Sequence, residues 1–336
     1  MSIVMTGGGT GGHLAIIKAV KEQLKGEELI YIGSTKGQDK QWFEDDDDFA
    51  QKYFFDTRGV VDQKGAGKLK SMWMMFQAMR KARKLLKEHN AKVVFSVGGF
   101  SSAASAFAAK SLGIPLVIHE QNAALGSLNK LMRPYAKAFI SSYLEESPIK
   151  AYPIKEVFFD NAHLRSKVKT IMFLGGSQGA QAINKLALEM APQLKEKGIK
   201  IIHQAGARNI DDVQKAYEEL GIEAEVFGFT TKLADYMNEA DFAIARSGAS
   251  TLWELSATAL PTLFIPYPYA ASDHQFYNAE FLVKKDLAWL MREKEIDTKR
   301  VLELLDEDMS TKSKGLMEIV EKDGSQKIAE LLKSYI

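Results

Sequence analysis

The run Ile3-Val4-Met5-Thr6-Gly7-Gly8-Gly9-Thr10-Gly11-Gly12-His13-Leu14 passes from a short apolar strand, through a loop made mostly of glycine, into an amphipathic segment that continues to residue 25. Strand, glycine turn and helix form the opening half of a βαβ unit. The order recurs. Apolar runs at residues 29–33, 93–97, 116–120 and 138–141 read as further strands, with helices at 68–89 and 101–112. Most runs are continuous rather than alternating, as in parallel strands covered on both faces. The pattern restarts at residues 170–175 and goes on through 200–205, 223–229, 242–245 and 261–266, with helices near 180–196, 210–220 and 250–259. Two rounds of alternation predict an α/β protein of two doubly wound, Rossmann-like parallel-sheet domains facing across a cleft. The seam is expected within residues 152–169. That gives domains over 1–157 and 158–324, and a C-terminal helix over 325–336 that packs back on the first domain.

The composition agrees with this class. The 336 residues are 46% hydrophobic and 26% charged, which is ordinary for a globular chain and excludes disorder, collagen and coiled-coil arrays. With no cysteine there is no disulfide framework, thiolate metal site or cysteine nucleophile, and a reducing compartment is expected. No signal peptide and no spanning segment are expected. The net charge of +1 hides an asymmetry. Residues 1–150 carry 21 Lys and Arg against 15 Asp and Glu, net +6, which leaves net −5 for the rest. The first half is therefore the side expected to meet an anion. Asp45–Asp48 reads as a solvated acidic turn, because four consecutive aspartates do not converge on one ion without a shaped loop.

Two more glycine loops stand between a strand and a helix: Gly98-Gly99-Phe100-Ser101-Ser102 and Gly175-Gly176-Ser177-Gln178-Gly179-Ala180. Such loops let backbone approach a ligand and present N–H groups to phosphate at a helix N-terminus. Three of them in register suggest diphosphates bound on both sides of the expected cleft. The first loop also fits the G-x-G-x-x-G dinucleotide fingerprint. That fingerprint wants a carboxylate after the next strand, and Gly33-Ser34-Thr35 offers none, so a dehydrogenase is disfavoured. In the second half, Arg246-Ser247-Gly248-Ala249-Ser250-Thr251-Leu252-Trp253-Glu254 repeats strand, small-residue turn and helix. Glu254 can present its carboxylate to two ribose hydroxyls or act as a capping glutamate. Asp273-His274-Gln275 heads a further helix and reads either as sugar recognition or as a surface cap.

Taken together, Gly7–His13, Gly98-Gly99-Phe100, His119-Glu120-Gln121-Asn122, Gly175–Ala180, Arg246–Glu254 and Asp273–Ala279 resemble the MurG family, the bacterial lipid-linked peptidoglycan glycosyltransferases. The matching pieces run in family order over residues 7–279. The family's usual prolines in the first two loops are here Ile16 and Ala104. The resemblance implies a GT-B fold and inverting transfer of GlcNAc from UDP-GlcNAc to the MurNAc C4 hydroxyl of lipid I, giving lipid II and UDP. It implies a peripheral enzyme of cell-wall biogenesis, acting with cell shape and division on the cytoplasmic face of the inner membrane. Its partners would be UDP-GlcNAc, lipid I, the anionic membrane surface and other cell-wall synthesis proteins, with no nucleic acid and no required cofactor or metal.

By residue, the resemblance assigns the donor to Thr10, Gly11, Gly12, Asn122, Arg165, Ser177, Phe229, Ala249, Ser250, Thr251, Leu252, Trp253, Glu254 and Gln275. It assigns the acceptor diphosphate to Gly8, Gly9, Gly98, Gly99, Ser101 and Ser102. His13 is the candidate general base, with a purely binding role as its rival. A UDP-GlcNAc 2-epimerase and a non-catalytic nucleotide-sugar-binding scaffold are the competing readings.

One feature falls outside the glycine loops. Residues 64–87 contain eight basic side chains and no acidic one. Leu69, Met72, Trp73, Phe76 and Met79 recur there at helical spacing. The stripe is either core or a membrane-docking face formed by Trp73, Phe76, Met79, Arg80, Lys81 and Lys84.

Overall fold

The computed structural model describes every residue except 58–65, 161 and 177, and only the backbone of 66–70. It separates into two units, one made of Met1–Ile154 with Asp323–Ile336 and the other of Lys155–Lys322. The divisions therefore fall two or three residues before the expected 157/158 and 324/325.

The first unit is built on a six-stranded parallel sheet. Its strands are β1 (Ser2–Thr6), β2 (Glu28–Ser34), β3 (Gln51–Phe55), β4 (Ala91–Ser96), β5 (Leu116–His119) and β6 (Ala138–Ile140), in spatial order β3-β2-β1-β4-β5-β6. Every residue of β1 is buried, which is why it reads as a continuous apolar run. The helix Gly11–Glu22 seals one face with Leu14, Ile16, Ile17 and Val20. The helix Gly324–Lys333 closes this unit too. Its first residue is a glycine because a Cβ there would stand 2.5 Å from the Tyr152 carbonyl oxygen.

The second unit repeats the plan with β7 (Thr170–Leu174), β8 (Lys200–Gln204), β9 (Glu225–Phe227), β10 (Phe242–Ala245), β11 (Thr262–Phe264) and β12 (Trp289–Leu290), in order β12-β11-β10-β7-β8-β9. Strands β3 and β12 were not legible as strands. β3 is a half-buried edge, and β12 is two residues long. Neither needs the unbroken apolar run that marks a central strand.

Parallel strands put all their C-terminal ends on one edge of each sheet, and loops there are where such folds bind ligands. In the first unit that edge carries the loops after β1, β4 and β5. The loops after β1 and β4 touch backbone to backbone. The Gly8 amide donates to the Gly98 carbonyl at 3.3 Å. Gly99, at φ +79°, would drive a Cβ into the Gly8 carbonyl oxygen. In the second unit Gly206, at φ +89°, leaves the same kind of room for the Gly179 amide. At these positions glycine serves close loop packing.

Candidate functional site

In the first unit the loop after β1 is braced from behind by Asp39, which is fully buried. Its Oδ2 accepts from the Gly9 amide at 2.6 Å, and its Oδ1 accepts from the Ser34 amide at 3.0 Å and the Tyr31 hydroxyl at 3.2 Å. A carboxylate does reach the first glycine loop from beyond β2, but its oxygens are spent on the protein itself. Sequence reasoning missed Asp39, since nothing in a spacing of thirty residues marks the pair.

The residues that the resemblance gives the acceptor diphosphate lie in these same loops. The Gly8 and Gly9 amides are committed to Gly98 and Asp39, and the Gly98 amide donates to Ser96 Oγ at 3.3 Å. The Ser102 hydroxyl donates to the Gly99 carbonyl at 3.0 Å, and both Ser101 and Ser102 are 0% exposed. These bonds hold the two loops together, while Gly9 and Gly99 stay partly exposed. What the loops hold outward is Thr10, which is exposed, and His13, which is half-buried.

His13 Nδ1 lies 2.9 Å from Thr10 Oγ1, and the Gln121 Nε2 lies 3.1 Å from His13 Nε2 and 3.3 Å from Nδ1. Gln121 stands in the loop after β5, which is pinned by Glu120. One Glu120 oxygen accepts from the Asn122 amide at 3.0 Å. The other accepts from the Gly126 amide at 2.8 Å and from Asn129 Nδ2 at 3.0 Å. Burial raises the Glu120 pKa above the usual carboxyl range, against these bonds, which lower it. His119 is completely buried, with no hydrogen-bond partner for either ring nitrogen. Burial first, and the neighbouring His13 second, push its pKa down to about 3, so it stays neutral.

In the second unit the helix Ala249–Ala257 begins at the C-terminal edge behind Gly248. Its residues divide by face. Ala249, Leu252 and Trp253 are buried, with Trp253 packed near the Phe281 ring at 6.0 Å, so their side chains belong to the core. Ser250, Thr251 and Glu254 are half-buried. Ser250 and Glu254, four apart, share a face. Desolvation pushes the Glu254 carboxyl up to about 7, opposed by the positive charge of Lys155. Gln275 accepts from the Tyr267 amide at 3.0 Å through Oε1, which ties down the loop after β11. Phe229 is 73% exposed beyond β9. Asn122 is half-buried. Ser177 lies outside the described residues.

Arg165 does not belong with these residues. It is 1% exposed, and its guanidinium donates to the carbonyls of Ala240 at 2.8 Å, His163 and Met237 at 3.0 Å, and Thr258. These are mostly the final carbonyls of the helices Leu233–Glu239 and Ala249–Ala257, at the start of β10 and β11. Arg165 caps two helix C-termini on the opposite edge of the sheet from the ligand loops. Burial lowers its pKa to about 10.

The docking stripe also shifts. The helix Ala66–Glu88 turns Ser71, Ala78, Ala82 and Leu86 inward, and Met79 packs against the same core. Met72, Trp73 and Phe76 are 52%, 61% and 45% exposed, and the Trp73 and Phe76 rings stack at 5.9 Å. Arg80, Lys81 and Lys84 are exposed beside them. The segment is therefore neither wholly core nor wholly surface.

Family models for the N-terminal and C-terminal domains of glycosyltransferase family 28 match residues 3–141 and 170–333. A Sulfurovum protein is 82% identical over 335 residues, spanning 100% of this chain and 99% of its own length. It carries the name UDP-N-acetylglucosamine--N-acetylmuramyl-(pentapeptide) pyrophosphoryl-undecaprenol N-acetylglucosamine transferase. The chain belongs to the MurG family. A Sulfurimonas denitrificans protein with the same name is 52% identical over 98% of this chain and 97% of its own. The crystal structure of Acinetobacter baumannii MurG superposes with a TM-score of 0.81 at 24% identity, covering 99% of both chains. A Neisseria meningitidis UDP-GlcNAc 2-epimerase matches at TM-score 0.64 and 12% identity, over 99% of this chain and 100% of its own. These superpositions show the GT-B fold. They do not separate a MurG transferase from an epimerase.

Glu254 yields a test of the site's electrostatics. Its carboxyl holds a proton in the folded protein over a range, about pH 4.5 to 7, in which the unfolded chain has already lost it. Stability from this group is therefore lost as pH rises through that window. Glu254→Gln, which cannot ionise, should raise Tm at pH 8 and leave it unchanged at pH 4.5. Equal Tm values for both proteins at pH 8 would place the carboxylate in water.

Proposed function

We propose that this MurG-family chain moves GlcNAc from UDP-GlcNAc to the C4 hydroxyl of the N-acetylmuramyl group of undecaprenyl-diphosphate-linked muramyl pentapeptide, inverting the anomeric centre and releasing UDP. The observation that carries this reading is the 82% identity, end to end, with a transferase named for that donor and acceptor. The epimerase reading is left with a likeness of fold alone.

Inverting transfer is one displacement. It needs a base for the acceptor proton, stabilisation of the departing diphosphate, and exclusion of water. We assign His13 as the base. Glu254 takes the ribose hydroxyls, and the Gln275 amide nitrogen donates to the sugar while its oxygen holds Tyr267. The backbone near Phe229 lies against the nucleotide. Ser250, Thr251 and the helix N-terminus behind Gly248 carry diphosphate charge, as does the Ser177 loop ahead of the helix Gln181–Glu196. Gly11, Gly12 and Asn122 complete the donor set. Arg165, Leu252 and Trp253 support it from the core without touching it.

Incubating the protein with labelled UDP-GlcNAc and lipid I should give lipid II. His13→Ala should keep the fold and lose roughly 10²–10⁴-fold in kcat. In the Glu254→Gln variant the loss should fall on KM for UDP-GlcNAc. A His13→Ala protein with normal turnover would remove the base assignment, and no lipid II from the wild type would remove the activity.

The exposed Trp73–Phe76 stack, with Arg80, Lys81 and Lys84 beside it, supports attachment to an anionic bilayer, where a lipid-linked acceptor resides. No helix among the described residues is long and apolar enough to cross a membrane. Vesicle co-sedimentation should show binding that requires anionic lipid, weakens with salt, and falls when Trp73 and Phe76 are both changed to Ser. Equal binding of the double variant would place the docking face elsewhere.

A further inference from the structure

Thr10 stands at the N-cap of the helix Gly11–Glu22, with the extended backbone that a capping threonine adopts, φ −131° and ψ 154°. A threonine there ordinarily accepts from the amide of the second or third helical residue. This one makes no side-chain cap bond. Its hydroxyl lies instead 2.9 Å from Nδ1 of His13, the third helical residue. The helix start forgoes a stabilising bond, and the imidazole gains a fixed partner.

The second contact is of another kind. Gln121 Nε2 is nearly equidistant from the two ring nitrogens of His13, at 3.1 and 3.3 Å. No point in the plane of the ring satisfies both distances without colliding with a ring carbon. The amide nitrogen therefore sits over the face of the imidazole, where it bears on the ring's orientation and uses neither in-plane direction. Gln121 is itself 7% exposed and held in the loop that Glu120 pins. Beneath lies neutral His119, which adds no positive charge against an imidazolium.

We propose that Thr10 and Gln121 are positioning residues for His13. The Thr10 oxygen accepts Nδ1–H and fixes that tautomer, and the Gln121 amide holds the ring face, so that Nε2 presents its lone pair to the acceptor hydroxyl. This rests on the assignment of His13 as base. In the step, the acceptor O–H proton passes to Nε2. The oxygen pair forms the new bond to the anomeric carbon, and the bond from that carbon to the diphosphate oxygen breaks, its pair leaving on UDP. The imidazolium keeps its Nδ1–H on Thr10 throughout. The role differs from the donor contact that sequence resemblance gives Thr10, since a donor contact would act on KM.

The test is long-range proton–nitrogen NMR of ¹⁵N-histidine-labelled full-length protein, with His13 assigned by comparison with His13→Asn, alongside steady-state kinetics. The wild type should show His13 as the Nδ1–H tautomer. Thr10→Val should shift it toward Nε2–H and lower kcat roughly tenfold, with KM for UDP-GlcNAc changed less than about twofold. Thr10→Ser should restore both. Gln121→Leu should lower kcat without moving the tautomer, and it tests the arrangement should the valine variant fail to fold. A wild-type Nε2–H tautomer, or a Thr10→Val protein with an unaltered tautomer or a raised donor KM at full kcat, would overturn the proposal. A shifted tautomer at full kcat would uphold the positioning and overturn the base role of His13.

Discussion

The contact between the backbones of Gly8 and Gly98–Gly99 is the constraint on which the first unit's ligand edge depends. Two loops that leave neighbouring strands β1 and β4 can share one hydrogen bond and lie in van der Waals contact only if no Cβ stands between them. Asp39 closes the arrangement from the other side by taking the Gly9 amide. With the loop held at Gly8 and Gly9, the chain enters the helix at Gly11 from a fixed position. Thr10 and His13 are then presented on a rigid base. These glycines make the scaffold from which Thr10 and His13 project.

The two edges of each sheet divide the labour. The C-terminal edges collect groups whose ionisation is unsettled by burial, namely Glu120 and His119 in the first unit and Glu254 in the second. Perturbed groups gathered at ligand loops mark functional sites. At the N-terminal edge of the second sheet, Arg165 is buried as deeply, but the bonds its guanidinium makes are to helix-end or turn carbonyls. Its charge stabilises structure by answering two helix dipoles. Burial alone does not separate the two roles; the partners do.

That distinction explains what could be read in advance. Central strands such as β1 and β7 were legible because strands covered on both faces must be apolar throughout. Edge strands β3 and β12 lacked that signature. His13 and Glu254 were legible as candidates because they sit just past strand ends, where a doubly wound sheet exposes its loops, whereas Thr10 and Ser250 came from the resemblance. The carbonyl cage of Arg165 could not be read in advance, because an arginine's sequence context does not reveal partners contributed by residues some 70 to 90 positions away. Asp39 escaped notice for the same reason. In the basic helix, the spacing rightly grouped Met72, Trp73 and Phe76 but also admitted Met79, which lies on the boundary between faces. Helical periodicity gives the stripe, and only tertiary packing on Ala78 and Ala82 gives its edge.

The account stands or falls on a single displacement at the sugar carried by UDP. The direct measurement is the anomeric configuration of the disaccharide formed from ¹³C-labelled UDP-GlcNAc and the lipid-linked acceptor, read by NMR on the isolated product. The donor's α-linked sugar should appear β-linked to the muramyl C4 oxygen. An α-linked disaccharide, or donor consumed to a free or epimerised sugar with no disaccharide formed, would contradict it.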